Sequence, residues 1–414
     1  MNEDMYLVCS SDTNRANKGE HGGAVTSILK FVLETGLVDG VVAVKAMNGD
    51  RYAGVPVLIT ESEKLDDTAG SLHCSTPNIA RFVKTYLDEF SITSLGIVGK
   101  PCDIRAIIEL KKRNQIELDK LILVGLNCTG SLSPTIAKEM AINEFEVNPN
   151  EIVMEDIDDD ELVITLKDGT ERFRPLSELE EKGYGRRENC RRCEFNIPTM
   201  ADLACGKWGT ENIAGHWTFV EACSDTGKAL IQEAAENGFI QVKSPDKQSI
   251  EIRENKNQAE IEHAQQWIER DLKPLENLSQ QERFDYWISE FRKCVKCFGC
   301  REACPICYCD HCVLEADRGY LEKGVVPPNA LFPLTRLSHV ADSCVNCGQC
   351  QDVCPVELPL SKLFTILHRR LSDVFQYTPG IDVEEHPPVI GITDEESSVD
   401  DTFLDLSSIE SHKR

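Results

Sequence analysis

Residues 294–305 read CVKCFGCREACP, and residues 344–355 read CVNCGQCQDVCP. Each run follows C-x2-C-x2-C-x3-C-P, with Cys294, Cys297, Cys300 and Cys304 in the first and Cys344, Cys347, Cys350 and Cys354 in the second. Cysteines three apart in a tight loop aim converging thiolates at one small inorganic core, and in chains with two such runs the fourth cysteine crosses to the neighbouring core. The runs therefore specify two 4Fe-4S clusters. One falls on Cys294, Cys297, Cys300 and Cys354, the other on Cys344, Cys347, Cys350 and Cys304. A zinc ribbon needs only two C-x-x-C pairs. The duplicated register, closed each time by proline at Pro305 and Pro355, favours clusters over zinc or disulfides.

At 414 residues the chain has room for two or three domains with their own cores. Its nineteen cysteines would suit a disulfide scaffold in a small secreted protein. The start, Met1-Asn2-Glu3-Asp4, instead shows no basic or apolar leader, and no apolar run approaches the length of a membrane helix. A cytoplasmic protein without a membrane span is expected, and in that reducing compartment dense cysteine spacing points to metal. The formal net charge of -26 speaks against nucleic acid or an anionic membrane as partner, because both attract basic surfaces.

Residues 1–150 alternate apolar segments with amphipathic ones. Strands are expected at residues 5–8, 41–44, 55–59, 95–98 and 121–126. Helices fall between them: one opened by Gly22-Gly23 with Val25, Ile28, Leu29, Val32 and Leu33 at helical spacing, one capped by Asn78, one from Asp103, and one with Ser133 as cap and Pro134 at its first position. The alternation predicts an α/β (α+β) layer whose ligands gather beyond the carboxyl ends of the strands. Three loops there carry cysteine: HCSTPN at 73–78, GKPC at 99–102 and NCTG at 127–130. Neither a Rossmann G-x-G-x-x-G nor a P-loop occurs. A nucleotide cofactor would have to use the helix starts at Gly22-Gly23 and Ser75 to Asn78, where free backbone N–H groups can face a pyrophosphate. Helix initiation alone is the plainer reading of both.

Residues 151–290 open with a polar hairpin, 162–166 returning through Asp168-Gly169. Cys190-Arg191-Arg192-Cys193 follows, then Cys205 within ADLACGKWG at 201–209. One C-x-x-C pair cannot complete a tetrahedral site. If Cys102 and Cys128 approach it, a third cluster can assemble; a redox C-x-x-C, a zinc site and free buried thiols stay open as readings. Residues 258–291 predict a charged helical connector into a two-cluster module at 291–379, itself closed by a helix at 360–375. Residues 380–414 form a tail with ten acidic residues after Gly380, either disordered or ordering on a partner. Between the cysteine runs lie Cys307, Cys309, His311 and Cys312, which either pack or bind a further metal.

Gly22-Gly23 opening a helix, the GKPC and NCTG loops, the C-x-x-C at 190–193 and ADLACGKWG together resemble the beta-subunit family of coenzyme F420 hydrogenases and dehydrogenases, over roughly residues 1–290. With CVKCFGCREACPICYC in the appended ferredoxin-like module, the chain is most similar to the formate dehydrogenase branch of that family. The resemblance implies an FAD held by Gly22, Gly23, Thr26, Ser75, Thr76 and Asn78, with Gly99, Lys100 and Pro101 near the flavin. It also implies a third 4Fe-4S cluster on Cys102, Cys128, Cys190 and Cys193. Cys205 competes for a place there, because the family more often has an apolar or small residue at that position. Coenzyme F420 is the implied substrate, and a molybdenum or tungsten formate-oxidising alpha subunit is the implied electron donor. A heterodisulfide reductase complex is a candidate second partner. No catalytic side chain is expected, since FAD would take single electrons from clusters and deliver hydride; Lys100 is left to bias the flavin's charge. The alternatives are electrons from a hydrogenase or a ferredoxin, or a flavin-free relay and docking subunit. Three four-iron clusters correspond to about twelve irons per chain. Iron and sulfide analysis of anaerobically purified protein is expected to return that content, and about four or fewer irons would refute the twin-run assignment.

Overall fold

The computed structural model describes residues 4–74, 77–90, 92–158, 160–309, 312, 314 and 331–388. The expected apolar segments of the first 150 residues become strands β1 (Met5–Ser10), β2 (Gly40–Met47), β3 (Asp50–Ile59), β4 (Leu95–Gly99) and β5 (Leu121–Leu126). The polar hairpin is present and gains a strand, so that β6 (Ile152–Asp158), β7 (Glu161–Leu166) and β8 (Glu171–Pro175) form a separate antiparallel sheet. Three further strands, β9 (Leu203–Gly206), β10 (Thr218–Ala222) and β11 (Ile240–Lys243), return to the first sheet. Its order is β11-β1-β10-β9-β5-β4-β2-β3. The inner strands β2, β4, β5 and β9 are parallel, and antiparallel strands extend both edges.

Parallel strands covered on both faces read as continuous apolar runs, and LILVGL in β5 is one. Its residues divide by parity. Leu121 and Leu123 join one core, while Val124, Ile122 and Leu126 join the other. The second core is closed by α2 (Ala24–Glu34) and α8 (Asp225–Glu236), and the first by α3 (Ala80–Glu89) and α4 (Pro101–Lys112). The cap of α3 is as expected in kind, with Asn78 Oδ1 accepting from Ala80 N at 3.1 Å. Helix α4 starts earlier than Asp103, at Pro101, because Asp103 Oδ2 accepts from Lys100 N at 2.8 Å and satisfies the helix entry.

The connector differs from its expected form. It starts at residue 247 and is two helices, α9 (Lys247–Glu276) and α10 (Gln280–Phe291), broken where Ser279 and Glu282 form a capping box for the second. The module beyond it repeats its backbone as well as its sequence. Lys296 and Phe298 take left-handed conformations, as do Asn346 and Gly348 at the matching places of the second run. Each run then turns into a four-residue helix, α11 (Gly299–Glu302) and α13 (Gln349–Asp352), with α12 (Leu331–Val340) between them and α14 (Leu360–Phe375) after. The module packs behind α3 and α4. Phe298, Phe332, Leu360 and Phe364 share a core with Ile104, Ile107 and Ile108.

The chain after α14 turns back onto α4. Glu109, fully buried, accepts from Tyr377 Oη at 2.6 Å and Gly380 N at 2.7 Å and lies 3.4 Å from Lys112 Nζ. Lys111 Nζ reaches Val383 O at 3.3 Å. The first residues of the expected acidic tail are thus laid along a helix, and residues 389–414 lie outside the described residues. No helix among the described residues is long and apolar enough to cross a membrane. Glu109→Ala strands the Lys112 ammonium in the interior, a loss of about 3–5 kcal/mol. Thermal unfolding should show that loss, and limited proteolysis should show early cutting after α14.

Candidate functional site

A cleft of about 280 Å³ opens at the carboxyl ends of the parallel strands. Gly23 caps α2 with φ 66° and lines it, together with Thr26 of the first helical turn. The opening N–H groups of an α-helix have no partner within the helix, so this wall offers donors to an anion. Gly22 shapes the turn from behind: at φ 75° a Cβ there would meet His216 O at 2.3 Å. Gly99 and Lys100 form the opposing wall. At the floor, Asn127 has both side-chain polar atoms buried without a partner among the described residues. Unpaired buried amides are rare because each costs free energy, so Asn127 brings a donor and an acceptor to the cleft that need a partner from within it.

Lys100 is not a solvated loop lysine. Its Nζ donates to Asp103 Oδ2 at 2.8 Å and to Pro77 O at 3.2 Å. Burial works against its charge, but Asp103 outweighs this and holds the ammonium above the usual lysine range. Across the cleft stand titratable groups that the sequence reading passed over. His73 Nε2 is 3.4 Å from Glu20 Oε1, and His21 Nε2 is 3.7 Å from the same oxygen. Burial pushes Glu20 up, yet the hydrogen bond and charge of His73 prevail and bring it down to about 2. Lys207 Nζ pairs with Asp156 Oδ2 at 2.6 Å beside them.

Behind the Lys100 wall is a second, smaller cavity. Cys102, Cys128, Cys190 and Cys193 all line it. They come from the start of α4, the loop after β5, and the segment around α7 (Glu188–Arg191). Gly130 permits the meeting: a Cβ there would lie 3.1 Å from Cys190 Cβ and 2.7 Å from Arg186 Cδ. Burial raises the thiols of Cys102, Cys128 and Cys193 to about 12. A redox C-x-x-C works through a depressed thiol, so the environment disfavours that reading. Four converging sulfur donors fit a metal core, which would hold them as thiolates. Pro77, Lys100, Cys128, Thr129, Gly130 and Ser131 line both cavities, so the cleft and the cysteine cavity share a wall.

Several expected site residues take other places. Asn78 and Pro101 line the cysteine cavity and not the cleft, since Asn78 Nδ2 is engaged by Cys102 O at 3.1 Å and Pro101 is the first residue of α4. Ser75 and Thr76 lie outside the described residues. Cys205 is inside β9 opposite Leu126, buried in the α2–α8 core near Cys223, and lines the cleft; the structure does not bring it to the other four cysteines. In the twin runs, the charge of Cys304 bears on Cys300 of its own run as well as on Cys344, Cys347 and Cys350, and that of Cys354 on Cys294, so the two runs lie against each other. Cys307 faces Cys304, Cys309 is exposed and Cys312 buried, while His311 lies outside the described residues.

Residues 5–81 match the N-terminal model of the coenzyme F420 hydrogenase/dehydrogenase beta subunit, and residues 92–248 match its C-terminal model. The F420-dependent formate dehydrogenase subunit beta of Methanocaldococcus jannaschii is 43% identical over 93% of this chain and 98% of its own length. The chain belongs to the coenzyme F420 hydrogenase/dehydrogenase beta-subunit family. A second family member, the F420-dependent formate dehydrogenase 1 subunit beta of Methanococcus maripaludis, is 41% identical over 94% of this chain and 98% of its own. Residues 290–358 match a 4Fe-4S dicluster domain, which gives this beta-subunit chain an electron-transfer role. A chain of the F420-reducing NiFe hydrogenase complex from Methanosarcina barkeri has the same fold, at TM-score 0.58 and 18% identity over 65% of this chain and 92% of that one. Substituting Cys190 by serine is expected to remove about four irons, whereas Cys205→Ser should leave iron content unchanged. Equal losses in the two variants would place Cys205 among the ligands.

Proposed function

We propose that the chain is the beta subunit of an F420-dependent formate dehydrogenase, holding FAD in the cleft and a third 4Fe-4S cluster in the adjoining cysteine cavity. One observation carries this reading: the cleft and the cysteine cavity share a wall, and Cys347 of the second run lines that same cavity. Sulfur sites thus adjoin one another from the twin runs to the cleft. The two methanogen relatives, named as F420-dependent formate dehydrogenase beta subunits and matching along nearly their full length, support the substrate. When bound, FAD and clusters supply the conversion between single electrons and hydride that neither kind of group performs alone.

This chain's residues do the placing. The start of α2 at Gly23 and Thr26 would receive the cofactor's phosphates, Asn127 would offer it a hydrogen-bond donor and acceptor, and Lys100 would set a fixed positive charge in the wall that the cleft shares with the cysteine cavity. Cys102, Cys128, Cys190 and Cys193 hold that cluster, and the shared wall excludes water between the two. Coenzyme F420 enters from the open side of the cleft, and electrons arrive from a molybdenum- or tungsten-containing formate-oxidising partner through the twin runs.

Anaerobically purified complex should release FAD on acid extraction, contain molybdenum or tungsten, and reduce F420 with formate. A complex that releases no flavin would overturn the assignment, and nickel in place of molybdenum or tungsten would reassign the electron donor to a hydrogenase. Asn127→Ala removes one neutral hydrogen bond of about 1 kcal/mol. It should weaken FAD retention about fivefold, read by the flavin lost on gel filtration, with iron content unchanged.

A further inference from the structure

Two buried arginines sit where one set of cysteines meets the next, and neither forms an ion pair with a carboxylate among the described residues. Arg105 on α4 is buried, donating from Nε to Pro379 O at 2.8 Å and from Nη1 to Val345 O at 3.3 Å, with its guanidinium 3.7 Å from the centre of the Phe195 ring. Its Nη2 has no partner among the described residues. The thiols of Cys193 and Cys102 act on it from one side and that of Cys344 from the other. The nearest acid on its own helix, Glu109, acts on it less than those three thiols do and forms its ion pair with Lys112 instead. His368, facing Arg105, is held neutral by burial and by that same positive charge.

Arg336 repeats the arrangement between the twin runs. It donates from Nη2 to Cys300 O at 3.0 Å, has Cys304, Cys307 and Cys300 around it with the Cys304 thiol in hydrogen-bond reach, and has no carboxylate in an ion pair with it among the described residues. Arg187 shows the ordinary alternative. It too spans the junction, from Cys190 Sγ at 3.7 Å to Cys347 O at 3.0 Å, but Asp352 neutralises it. An unpaired buried charge costs several kcal/mol, so a chain that keeps two of them must supply anions where they point. Four-thiolate clusters are such anions, and each gains one further negative charge on reduction.

We propose that Arg105 and Arg336 are positioning residues for electron transfer, fixed counter-charges at the two junctions between clusters that raise the reduction potentials of the clusters on either side. The inference rests on the three-cluster reading above. In each step one electron leaves one cluster, which is oxidised, and enters the next, which is reduced; no bond forms, no proton moves and the guanidinium stays charged. A cation that acts on both neighbours favours the reduced form of each. Cluster potentials are known to follow net charge and hydrogen bonding around the core.

The test is an EPR-monitored redox titration of the complete complex carrying Arg105→Gln, Arg105→Lys or Arg336→Gln, with the third cluster's signal assigned from its loss in Cys190→Ser. Arg105→Gln should shift the third cluster and the Cys344-run cluster to more negative potential, at least tenfold in the oxidised-to-reduced ratio at fixed ambient potential, which is about 59 mV for one electron. Arg105→Lys should restore most of that shift, and Arg336→Gln should shift the two twin-run clusters and leave the third alone. Fully loaded Arg105→Gln with wild-type potentials would overturn the proposal, as would Arg105→Lys shifted as far as the glutamine variant. If Arg105→Gln fails to load iron, the loaded lysine variant decides in the same way. A wild-type complex with about eight irons would instead defeat the three-cluster reading, and the Arg336 arm would still test the charge effect on its own.

Discussion

Helix α4 is covered by the sheet on one side and by the cysteine-rich module on the other, so its charged side chains must find partners without water. That constraint organises the molecule. Asp103 turns back to the helix entry, accepting from Lys100 N at 2.8 Å and from Ile79 N at 3.1 Å, and so ties the starts of α3 and α4 together. Arg113 reaches forward to Asp342 at 2.9 Å, next to the second cysteine run. Glu109 and Arg105 fasten the chain after α14. All of these but the Lys100–Asp103 bond join elements distant in sequence. A module docked only through apolar contact could slide, whereas directional bonds to buried charges fix it in one place. Tunnelling between redox centres is acutely sensitive to separation, so that fixity is a functional requirement.

Much of this organisation was legible in the sequence, and the rest was hidden for identifiable reasons. The inner strands β2, β4 and β5 were visible because both faces are covered, leaving runs such as LILVGL without polar interruption. The twin runs were visible because cluster chemistry dictates spacing, and the backbone obeys it twice, down to the left-handed residues at 296 and 298, then 346 and 348. Helix α4 was found, but the burial of Asp103, Arg105, Glu109 and Lys112 was not, since periodicity assigns charges to a solvated face and cannot know that a second module covers it. Asn127 escaped for a related reason: a loop asparagine is unremarkable until both of its polar atoms are seen to be buried and unpaired. Strands β9 to β11 escaped because they are only four or five residues long, and β10 and β11 join the sheet antiparallel, outside the pattern of alternating strand and helix.

Cys205 shows the limit of counting thiols. Its neighbour in register across the parallel pair is Leu126, the last residue of β5, and Cys128 lies just beyond that strand's end. Two residues are enough to separate them: inside a strand a side chain is committed to one face by the pleat, while a residue past the strand end is free to turn toward the other. Cys205 therefore points into the α2–α8 core and Cys128 toward Cys190, although a few residues of chain position would suggest equivalence.

The same topology explains how two kinds of traffic are kept apart on the proposed reading. Parallel strands end on one edge of the sheet, and their loops there can face in two directions, toward the solvent-open cleft or toward the module behind α4. The segment from Cys128 to Ser131 does both, lining the cleft on one side and the cysteine cavity on the other. A diffusing coenzyme and a relayed electron would then approach the flavin from opposite sides of one thin wall. The titratable groups Glu20, His73 and His21 stand on the cleft side of it, while the unbalanced guanidinium of Arg105 stands on the cysteine side. Proton-bearing groups are thus found where a coenzyme would bind, and a fixed charge that exchanges no proton is found where only electrons would pass. This division follows from where the loops point, and it lets the cleft remain open while the cysteine cavity lies behind the shared wall.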